Sequence, residues 1–452
     1  MKRKSAVIEQ QVLEKVVPTK TERIQLESSV KNLKKIIEQL ISQIRYPIEI
    51  ELVGSTEKDT YINDNLDIDL FLCFPPSTPR TVLQEIGLSI GRKVLTHTEE
   101  CFAEHPYLRG EFNGFKTEIV PCYKIESTSE KLSAVDRTPF HTKYIKKHLK
   151  ETQKNEVRLL KQFLRGIGCY GAEAEVEGFS GYLCELLILK YSSFHYLLLH
   201  AQGWSFGVKL SLKNEIFPDF NTPLVFIDPV DSERNVASAL SKEKFDLFVK
   251  ACSDYIVNPR LTFFFPKKQK AWSISKIKKT IGDRDFIAVK IKKPKIISEN
   301  LYPQVRKSMR AIVELCEQYD FIINDAFFYI NSDFFYIVLS PKSCILCPTV
   351  IHKGPPANLQ KNSDEFIQKW KNNARTIINP FKKNNGWYVE IRRKYVDIRE
   401  LLKKQIRNTS LGKHIDIMVK NDFTILEKSQ LLDKKYEKLW THYLDKTMPW
   451  DR

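Results

Sequence analysis

The sequence predicts a multidomain α+β protein with a mixed head over residues 1–146, a helical central part over 147–263 and a basic α+β region over 264–452. Its 452 residues are more than one hydrophobic core usually serves. Its 42% apolar and 11% aromatic content is typical of a folded protein. Apolar spacing turns helical near residue 147, and beyond 260 it changes to short strand-like runs between basic helices.

The head combines helical and strand-like patterns. In residues 67–74 Ile68 and the alternate positions after it are apolar, while Asp67 and Asp69 fall on the other side. Asn113-Gly114 is typical of a hairpin turn. Together the patterns predict a helix over 6–46, strands over 48–53 and 67–74, a helix over 79–95 and a strand pair over 112–124.

The central part contains a helix with two contrasting faces. Leucines and Phe163 form the apolar face of residues 155–166. The opposite face is expected to carry a basic stripe, formed by Lys154, Arg158, Lys161 and Arg165. A glycine-rich loop and a buried helix follow, and a further helix is expected near 236–256.

The charge is distributed unevenly along the chain. Residues 1–263 contain 35 Lys and Arg and 35 Asp and Glu, so the whole net charge of +17 lies in 264–452. There the basic residues alternate with aromatic residues, as in FFFPKKQKAW and FKKNNGWY. Cationic groups beside rings that can stack on bases favour nucleic acid as the partner. The competing interpretation is a solvated, lysine-rich surface.

Other features exclude several classes of protein. No apolar run approaches the ~18 residues of a membrane-spanning helix. The polar start MKRKSAVIEQQVLEK lacks the apolar stretch of a signal peptide, so a cytoplasmic location is expected. The nine cysteines mostly lie in apolar surroundings, which favours reduced core residues over disulfides or a zinc site at Cys344 and Cys347.

Two carboxylates precede the buried part of the second predicted strand. Asp67 and Asp69 are two residues apart and would face the same way, where two anions repel each other. A divalent cation such as Mg²⁺ resolves that conflict, since it binds carboxylate and phosphate oxygens. Upstream, Gly54-Ser55 ends a strand, and its backbone and hydroxyl groups are suited to phosphate. Taken singly, each motif is more often a solvated pair or an ordinary turn.

A third acid strengthens the metal hypothesis. Glu118 lies in the strand-like run KTEIVPCYK and is expected beside Asp67 and Asp69. Three carboxylates around two metal ions suit in-line attack on the α-phosphate of a nucleotide, with pyrophosphate as leaving group.

These motifs resemble those of a known superfamily. GST…DIDLFL…TEIVPCYKI is similar to the nucleotidyltransferases, which include DNA polymerase beta, poly(A) polymerases and class I CCA-adding enzymes. Later stretches resemble the archaeal CCA tRNA nucleotidyltransferases: AVDRTPFH, NEVRLLKQFLRGIGCYGAE, GFSGYLCELLI, FIDPVDSERNVA and AVKIKKPKIISENLYPQ. The similarity extends over about residues 30–415. It implies a polymerase-beta-like head, a helical central domain and an RNA-binding C-terminal region.

The resemblance also implies site residues. Asp67, Asp69 and Glu118 match the catalytic acids that hold two Mg²⁺ ions, although the family usually has Asp where Glu118 stands. The nucleotide contacts implied are Gly54, Ser55, Lys58, His141, Lys161 and Tyr170 around the triphosphate and Arg234 at the base.

Each of these contacts also has an ordinary structural interpretation. His141 on its own is more often a satisfied core or surface residue. Lys161 is also consistent with a solvated lysine, and Arg234 with an ion pair to Asp231 or Glu233.

The implied function is template-independent addition of C, C and A to the 3′ end of tRNA from CTP and ATP, with repair of incomplete ends. The expected partners are the acceptor stem and T arm of tRNA, bound by the basic region, and no membrane. Whether the chain forms a homodimer stays open. The alternatives are a poly(A)- or poly(U)-adding polymerase on the same catalytic fold and an inactive RNA-binding homologue.

Overall fold

The computed structural model describes residues 2–63, 66–102, 105–213 and 217–452. Contacts divide the chain into two compact units. The first unit comprises Met1–Lys268 together with Thr447–Arg452, and the second comprises Gln269–Lys446. The predicted boundaries near 147 and 263 stay a prediction. Within the described ranges, no helix is both long enough and apolar enough to cross a membrane.

Helices and strands of the first unit follow each other in a mixed order. The helices are α1 (Lys2–Val16), α2 (Lys20–Ile41), α3 (Gly54–Lys58), α4 (Arg80–Val94), α5 (Thr138–His148), α6 (Glu151–Gly166), α7 (Gly181–Tyr191), α8 (Phe194–Ala201) and α9 (Lys242–Val257). The strands are β1 (Glu49–Val53), β2 (Ile68–Phe74), β3 (Thr96–Phe102), β4 (Pro106–Phe112), β5 (Phe115–Tyr123), β6 (Val208–Leu210), β7 (Leu224–Asp228) and β8 (Asp231–Asn235).

The second unit has the same mixed character. Its helices are α10 (Ile274–Ile281), α11 (Ser298–Gln318), α12 (Gln360–Lys371), α13 (Ile398–Gln405), α14 (Lys413–Asn421), α15 (Lys428–Leu431) and α16 (Glu437–Leu444). Its strands are β9 (Ile287–Lys292), β10 (Ile323–Ile330), β11 (Phe334–Pro341), β12 (Thr349–Pro356), β13 (Thr376–Lys383), β14 (Gly386–Arg392) and β15 (Thr424–Glu427). The predicted α+β class is therefore confirmed.

A five-stranded sheet of order β1-β2-β5-β4-β3 forms the centre of the head. β2 and β5 are parallel, and the other neighbours are antiparallel. The alternate apolar residues of β2 that begin with Ile68 are fully buried against α2 and α4, as the sequence predicts. The opposite face carries Asp69 and Phe71, so the same alternation that anchors the strand directs a carboxylate to the other side.

The single helix predicted over 6–46 is wrong, because the structure has two helices. α1 ends at Val16 and α2 begins at Lys20. Between them Pro18 has no N–H to donate and interrupts a helix. Thr19 then forms a capping box with Glu22, which starts the new helix. The break lets α1 join the core of the helical part while α2 packs on the head sheet.

Helices α6 to α9 surround an aromatic core in the first unit. Phe163 of α6 lies at its centre, and its ring packs against Phe194, Tyr255 and Phe263. Trp450, near the end of the chain, stacks on Phe263 with a ring-centroid distance of 5.1 Å. Residues 447–452 therefore complete this core after the chain has passed through the second unit.

Two sheets organise the second unit. Helices α11, α13 and α14 cover one face of the sheet β10-β11-β9-β15, and α10 and α16 cover the other. The sheet β12-β14-β13 packs on α12 through Phe366 and Trp370. Lysines lie over aromatic rings, as Lys276 does over Trp272 at 3.4 Å from the ring centroid.

All nine cysteines are free thiols, and seven of them are buried. This confirms the expectation of reduced core cysteines. Cys344 is half-buried and Cys347 is exposed.

Trp450→Ala is expected to lower the free energy of unfolding of the first unit by about 3 kcal/mol, since it removes a large side chain that is 1% exposed. The indole N–H also donates to Asp254 Oδ2 at 3.2 Å. Urea unfolding followed by far-ultraviolet circular dichroism measures the change. Val257→Ala, at a position 71% exposed, is the control and is expected to change stability by less than about 0.5 kcal/mol. Equal stability of the two variants would contradict the role of Trp450.

Candidate active site

The carboxylates predicted to hold metal lie at one end of the parallel pair β2–β5. Asp69 of β2 is directly opposite Glu118 of β5. Asp67 immediately precedes β2, and its carbonyl accepts a hydrogen bond from the Thr56 hydroxyl of α3. The sheet register therefore places Asp69 and Glu118 on neighbouring strands, and α3 holds the approach to β2.

The charge state of Asp69 reflects these neighbours. Burial, Glu118 and Asp67 together raise the pKa of Asp69 to about 7, against the opposing attraction of Lys58 and Arg109. A cation bound beside this carboxyl group would stabilise its ionised form and lower its pKa. The oxygen donors present are those that a hard divalent cation prefers, so the residues fit such an ion by their chemistry.

Glu118 is also paired with an arginine on the neighbouring strand. Arg109 lies opposite it on β4, and the Arg109 Nε–H donates to Glu118 Oε1 at 2.8 Å. Across the ranges that the structure covers, no three Asp, Glu, His or Cys side chains are grouped closely enough to hold a metal ion. The structure thus brings Asp69 and Glu118 onto adjacent strands while the Glu118 carboxylate contacts Arg109.

Gly54 has a specific steric reason to be glycine. Its φ is +73°, which disfavours a side chain, and a Cβ built there would lie 1.9 Å from Asp69 Oδ2. Gly54 and Ser55 begin a short helix, α3, directly after the first strand. The absence of a side chain at Gly54 gives the Asp69 carboxylate its space.

A cavity of about 580 Å³ opens beside these strands. All seven predicted nucleotide contacts and Asp67 line it: Gly54, Ser55, Lys58, His141, Lys161, Tyr170, Arg234 and Asp67. Asp69 and Glu118 lie outside this lining. Residues that are up to 180 positions apart in sequence therefore share one concave surface, which is typical of a small-molecule site.

One buried carboxylate holds the two lysines of the cavity. Glu185 of α7 is 0% exposed, and its Oε2 accepts from Lys58 Nζ at 2.6 Å. Its Oε1 accepts from the Thr60 hydroxyl at 2.6 Å and lies 3.9 Å from Lys161 Nζ. Burial lowers the pKa of Lys161 to about 8 although Glu185 opposes this. The ammonium groups are therefore held in place inside the protein and are not mobile in solvent.

A second buried carboxylate holds His141 and Arg234. Asp228 Oδ2 accepts from Arg234 Nη1 at 2.8 Å and lies 2.9 Å from His141 Nε2. Asp228 Oδ1 accepts from the Tyr182 hydroxyl at 2.9 Å. Burial alone would raise the pKa of Asp228, but His141 and Arg234 lower it to about 2, so this carboxylate is ionised.

Tyr170 also lines the cavity. Burial raises the pKa of its hydroxyl, which stays protonated. The Arg165 guanidinium lies over its ring, 5.3 Å from the centroid. A Cβ at Gly181 would come within 3.2 Å of the hydroxyl, so glycine leaves room for it at the cavity wall.

The structure excludes the alternative interpretations of two basic residues. Lys161 is not a solvated lysine, because it is only 2% exposed, as is Arg158 of the same basic stripe. Arg158 is buried because it donates to Asp59. The ion pair of Arg234 is formed with neither Asp231 nor Glu233, since its partner is Asp228.

The sequence interpretation missed the residues that fix these cations: Glu185, Asp228, Tyr182 and Arg109. A signal for the first existed. Glu185 stands in GYLCELLILKY, an otherwise apolar helix, and a carboxylate in a buried helix requires a partner. Asp228 similarly ends the apolar run LVFID.

Sequence models of known families match three consecutive parts of the chain. The nucleotidyltransferase domain matches residues 30–141. The second domain of tRNA nucleotidyltransferases matches 155–265, and the C-terminal domain of CCA-adding enzymes matches 282–428.

Similar proteins are found among the archaea. A CCA-adding enzyme of Methanosarcina barkeri is 36% identical over 431 residues, which cover 92% of this chain and 93% of the relative. The enzyme of Methanosarcina acetivorans is 34% identical, with 93% of each chain covered. That of Methanocaldococcus jannaschii is 33% identical, with 90% of this chain and 92% of the relative covered. The similarity therefore extends through nearly the whole length of each protein.

The raised pKa of Asp69 predicts an unusual dependence of stability on pH. Its pKa is about 7 in the folded chain and near the model-peptide value of about 3.9 when unfolded, so the protonated form favours folding. The stabilisation is complete below about pH 4 and is lost as the pH rises through about 7. We therefore compare the melting temperatures of Asp69→Asn and the unmodified protein in buffer that contains a metal chelator. The melting temperature of the variant minus that of the unmodified protein is expected to be larger at pH 8 than at pH 5.

Thermal unfolding at the two pH values measures this difference. A divalent cation added at pH 8 is expected to raise the melting temperature of the unmodified protein more than that of Asp69→Asn. A difference between the two proteins that does not change with pH would contradict the interpretation.

Proposed function

The chain belongs to the family of CCA-adding enzymes, and on that premise we propose that it adds C, C and A to the 3′ end of tRNA from CTP and ATP without a template. The observation that carries the proposal is the single cavity that Asp67 and all seven predicted nucleotide contacts line. A tRNA that has lost part of its CCA end presents the same 3′-hydroxyl. Repair of such ends therefore belongs to the same activity.

The reaction is nucleotidyl transfer. The tRNA 3′-oxygen forms a bond to the α-phosphorus of CTP or ATP, the bond to the β-phosphate oxygen breaks, and pyrophosphate leaves with the 3′-hydroxyl proton lost. Asp67, Asp69 and Glu118 would hold two Mg²⁺ ions, which supply activation of the hydroxyl and neutralisation of the leaving group. Glu118 Oε1 accepts from Arg109 in this structure, so Glu118 would bind a metal ion through Oε2 or after release from Arg109.

The cavity binds the nucleotide through its triphosphate. We assign the triphosphate to Ser55, Lys58, His141, Lys161 and Tyr170 in its lining. Positive groups held in a partly dry cavity attract phosphate more strongly than solvated ones. Because Lys58 and Lys161 share the Glu185 carboxylate, part of their charge remains uncompensated and available to the ligand.

We assign recognition of the nucleotide base to Arg234. Its side chain is 30% exposed and lines the cavity, and one of its nitrogens is bonded to Asp228. The remaining N–H groups of a guanidinium can donate to the acceptor edge of cytosine, and with bound RNA can help to select C or A over U and G.

The second unit is assigned to the tRNA. The net charge of +17 arises entirely from residues 264–452, most of which belong to this unit. We propose that it binds the acceptor stem and T arm through phosphates and the shape of the A-form duplex, which offers little sequence to side chains. A poly(A)- or poly(U)-adding activity is not favoured, because a CCA-adding relative matches 92% of the chain and the C-terminal domain model of CCA-adding enzymes matches residues 282–428.

Transfer to three tRNA substrates tests the function directly. The substrates end before CCA, after C and after CC, and each is incubated with labelled CTP or ATP separately. We expect CTP alone to extend the first by two residues and the second by one, and ATP alone to extend only the third by one. A homopolymer tail would contradict CCA addition, and the absence of any transfer would favour an inactive RNA-binding homologue.

Asp69→Ala is expected to abolish this transfer, since it removes the carboxylate opposite Glu118. Its affinity for tRNA, measured by filter binding, should stay within about twofold, because the proposed RNA-binding charges lie elsewhere. Retained CCA addition by this variant would contradict the assignment of Asp69.

Gly54→Ala should reduce transfer about 100-fold, because the new methyl group would displace Asp69 Oδ2. Gly207→Ala is the matched control. Gly207 has a similarly positive φ of +86°, but no atom lies within 4 Å of the added Cβ. Both variants carry backbone strain of about 1 kcal/mol, because alanine disfavours a positive φ. Equal loss of transfer activity in the two variants would show that this strain, and not the displacement of Asp69, causes the loss.

A further inference from the structure

Asp228 connects three parts of the cavity wall. It is the last residue of β7, and its carboxylate is 0% exposed. The groups bonded to it come from three different elements: His141 from α5, Tyr182 from α7 and Arg234 from β8. In addition, the backbone N–H of Val230 donates to Oδ1 at 3.1 Å. Four donors on two oxygens leave the carboxylate little freedom to turn.

The bonding pattern also fixes the orientation of the side chains around Asp228. An ionised carboxylate only accepts hydrogen bonds, so the Nε2 atom of His141 carries a proton and donates it. The His141 ring also stacks on Tyr182, with centroids 4.1 Å apart and planes at 23°. Arg234 donates from Nη1 to Asp228, and this anchors its guanidinium group at one position of the cavity lining.

We propose that Asp228 is a positioning residue that gives the enzyme its selectivity for the incoming base by holding Arg234, and that it sets nucleotide affinity by holding His141. The inference rests on the proposed function, in which Arg234 contacts the base and His141 the triphosphate. Asp228 itself acts only through these two side chains.

The physical reason is the geometry that base selection requires. Cytosine presents an acceptor at N3, where uracil presents an N–H donor, so a guanidinium fixed opposite that edge attracts one base and opposes the other. A long Arg side chain without an anchor samples several rotamers and can turn its donors away from uracil. Selectivity therefore depends on the anchor as well as on the charge of the arginine.

Asp228→Asn tests the inference, because it keeps the shape of the side chain and removes its charge. The measurement is the ratio of kcat/KM for CTP to that for UTP, on a tRNA that ends before CCA. We expect this ratio to fall about tenfold, the value of one bidentate base contact. KM should rise for both CTP and ATP, since His141 loses its anionic partner.

Two control variants separate positioning from general effects on the fold. Asp231→Asn removes another carboxylate of the same hairpin, one that pairs with Lys131 and Arg137 and not with Arg234, and should leave the CTP to UTP ratio unchanged. Tyr182→Phe removes one bond to Oδ1 but leaves His141 and Arg234 on Oδ2, and is expected to change the ratio by less than about threefold.

A double-mutant cycle shows whether Asp228 acts through Arg234. In an Arg234→Ala background, Asp228→Asn should cause no further loss of selectivity. Should Asp228→Asn not fold, Asp228→Glu keeps the buried anion while it displaces Arg234 by about one methylene, and the same fall in the ratio is expected.

The outcomes distinguish this inference from the proposed function. An unmodified protein that adds no C to tRNA contradicts the proposed function. An active Asp228→Asn enzyme with an unchanged CTP to UTP ratio contradicts only the inference, as does an additive loss in the Arg234→Ala background.

Discussion

The ion pair between Glu185 and Lys58 joins helix α7 of the first unit to the end of the short helix α3 in the head. Glu185 is completely buried, and removal of one partner from a buried ion pair costs about 3–5 kcal/mol. Thr60 completes the coordination of the carboxylate. Next to it, Asp59 directly follows α3 and accepts from Arg158 of α6, so a second ion pair fixes the same junction. The position of α3 against the helices, and hence the shape of the cavity, depends on these charges.

The head could be predicted from the sequence wherever the signal was local. Strand β2 covers 68–74, one residue from its predicted start, because an alternating pattern fixes both the strand and its buried face. The helix predicted over 6–46 failed because apolar spacing was followed past Pro18. The capping box of Thr19 and Glu22 was present in the sequence as a start signal. Pro18 and the capping residues therefore predict the break between α1 and α2, whereas hydrophobic periodicity alone does not.

The candidate site was predictable to a smaller extent, for a physical reason. Sequence and family resemblance indicated the cations Lys58 and Lys161, but whether such side chains are solvated depends on partners that are far away in the chain. Glu185 is 127 residues from Lys58, and Asp228 is 87 residues from His141. No periodicity relates such positions. What the sequence does show is an isolated carboxylate within an apolar segment, and that pattern indicates a buried acid in need of a cation.

Burial acts on the acids and bases of this site in opposite directions. It raises the pKa of Asp69 to about 7, lowers that of Lys161 to about 8 and lowers that of His141. In each case burial favours the neutral form, because a charge is less stable away from water. In the proposed site, a metal-bound nucleotide would supply the missing counter-charges, with cations near Asp69 and phosphates near Lys161. Binding of that substrate would restore the charged forms, and the affinity of the cavity for it would be coupled to proton release by the acid and proton uptake by the bases.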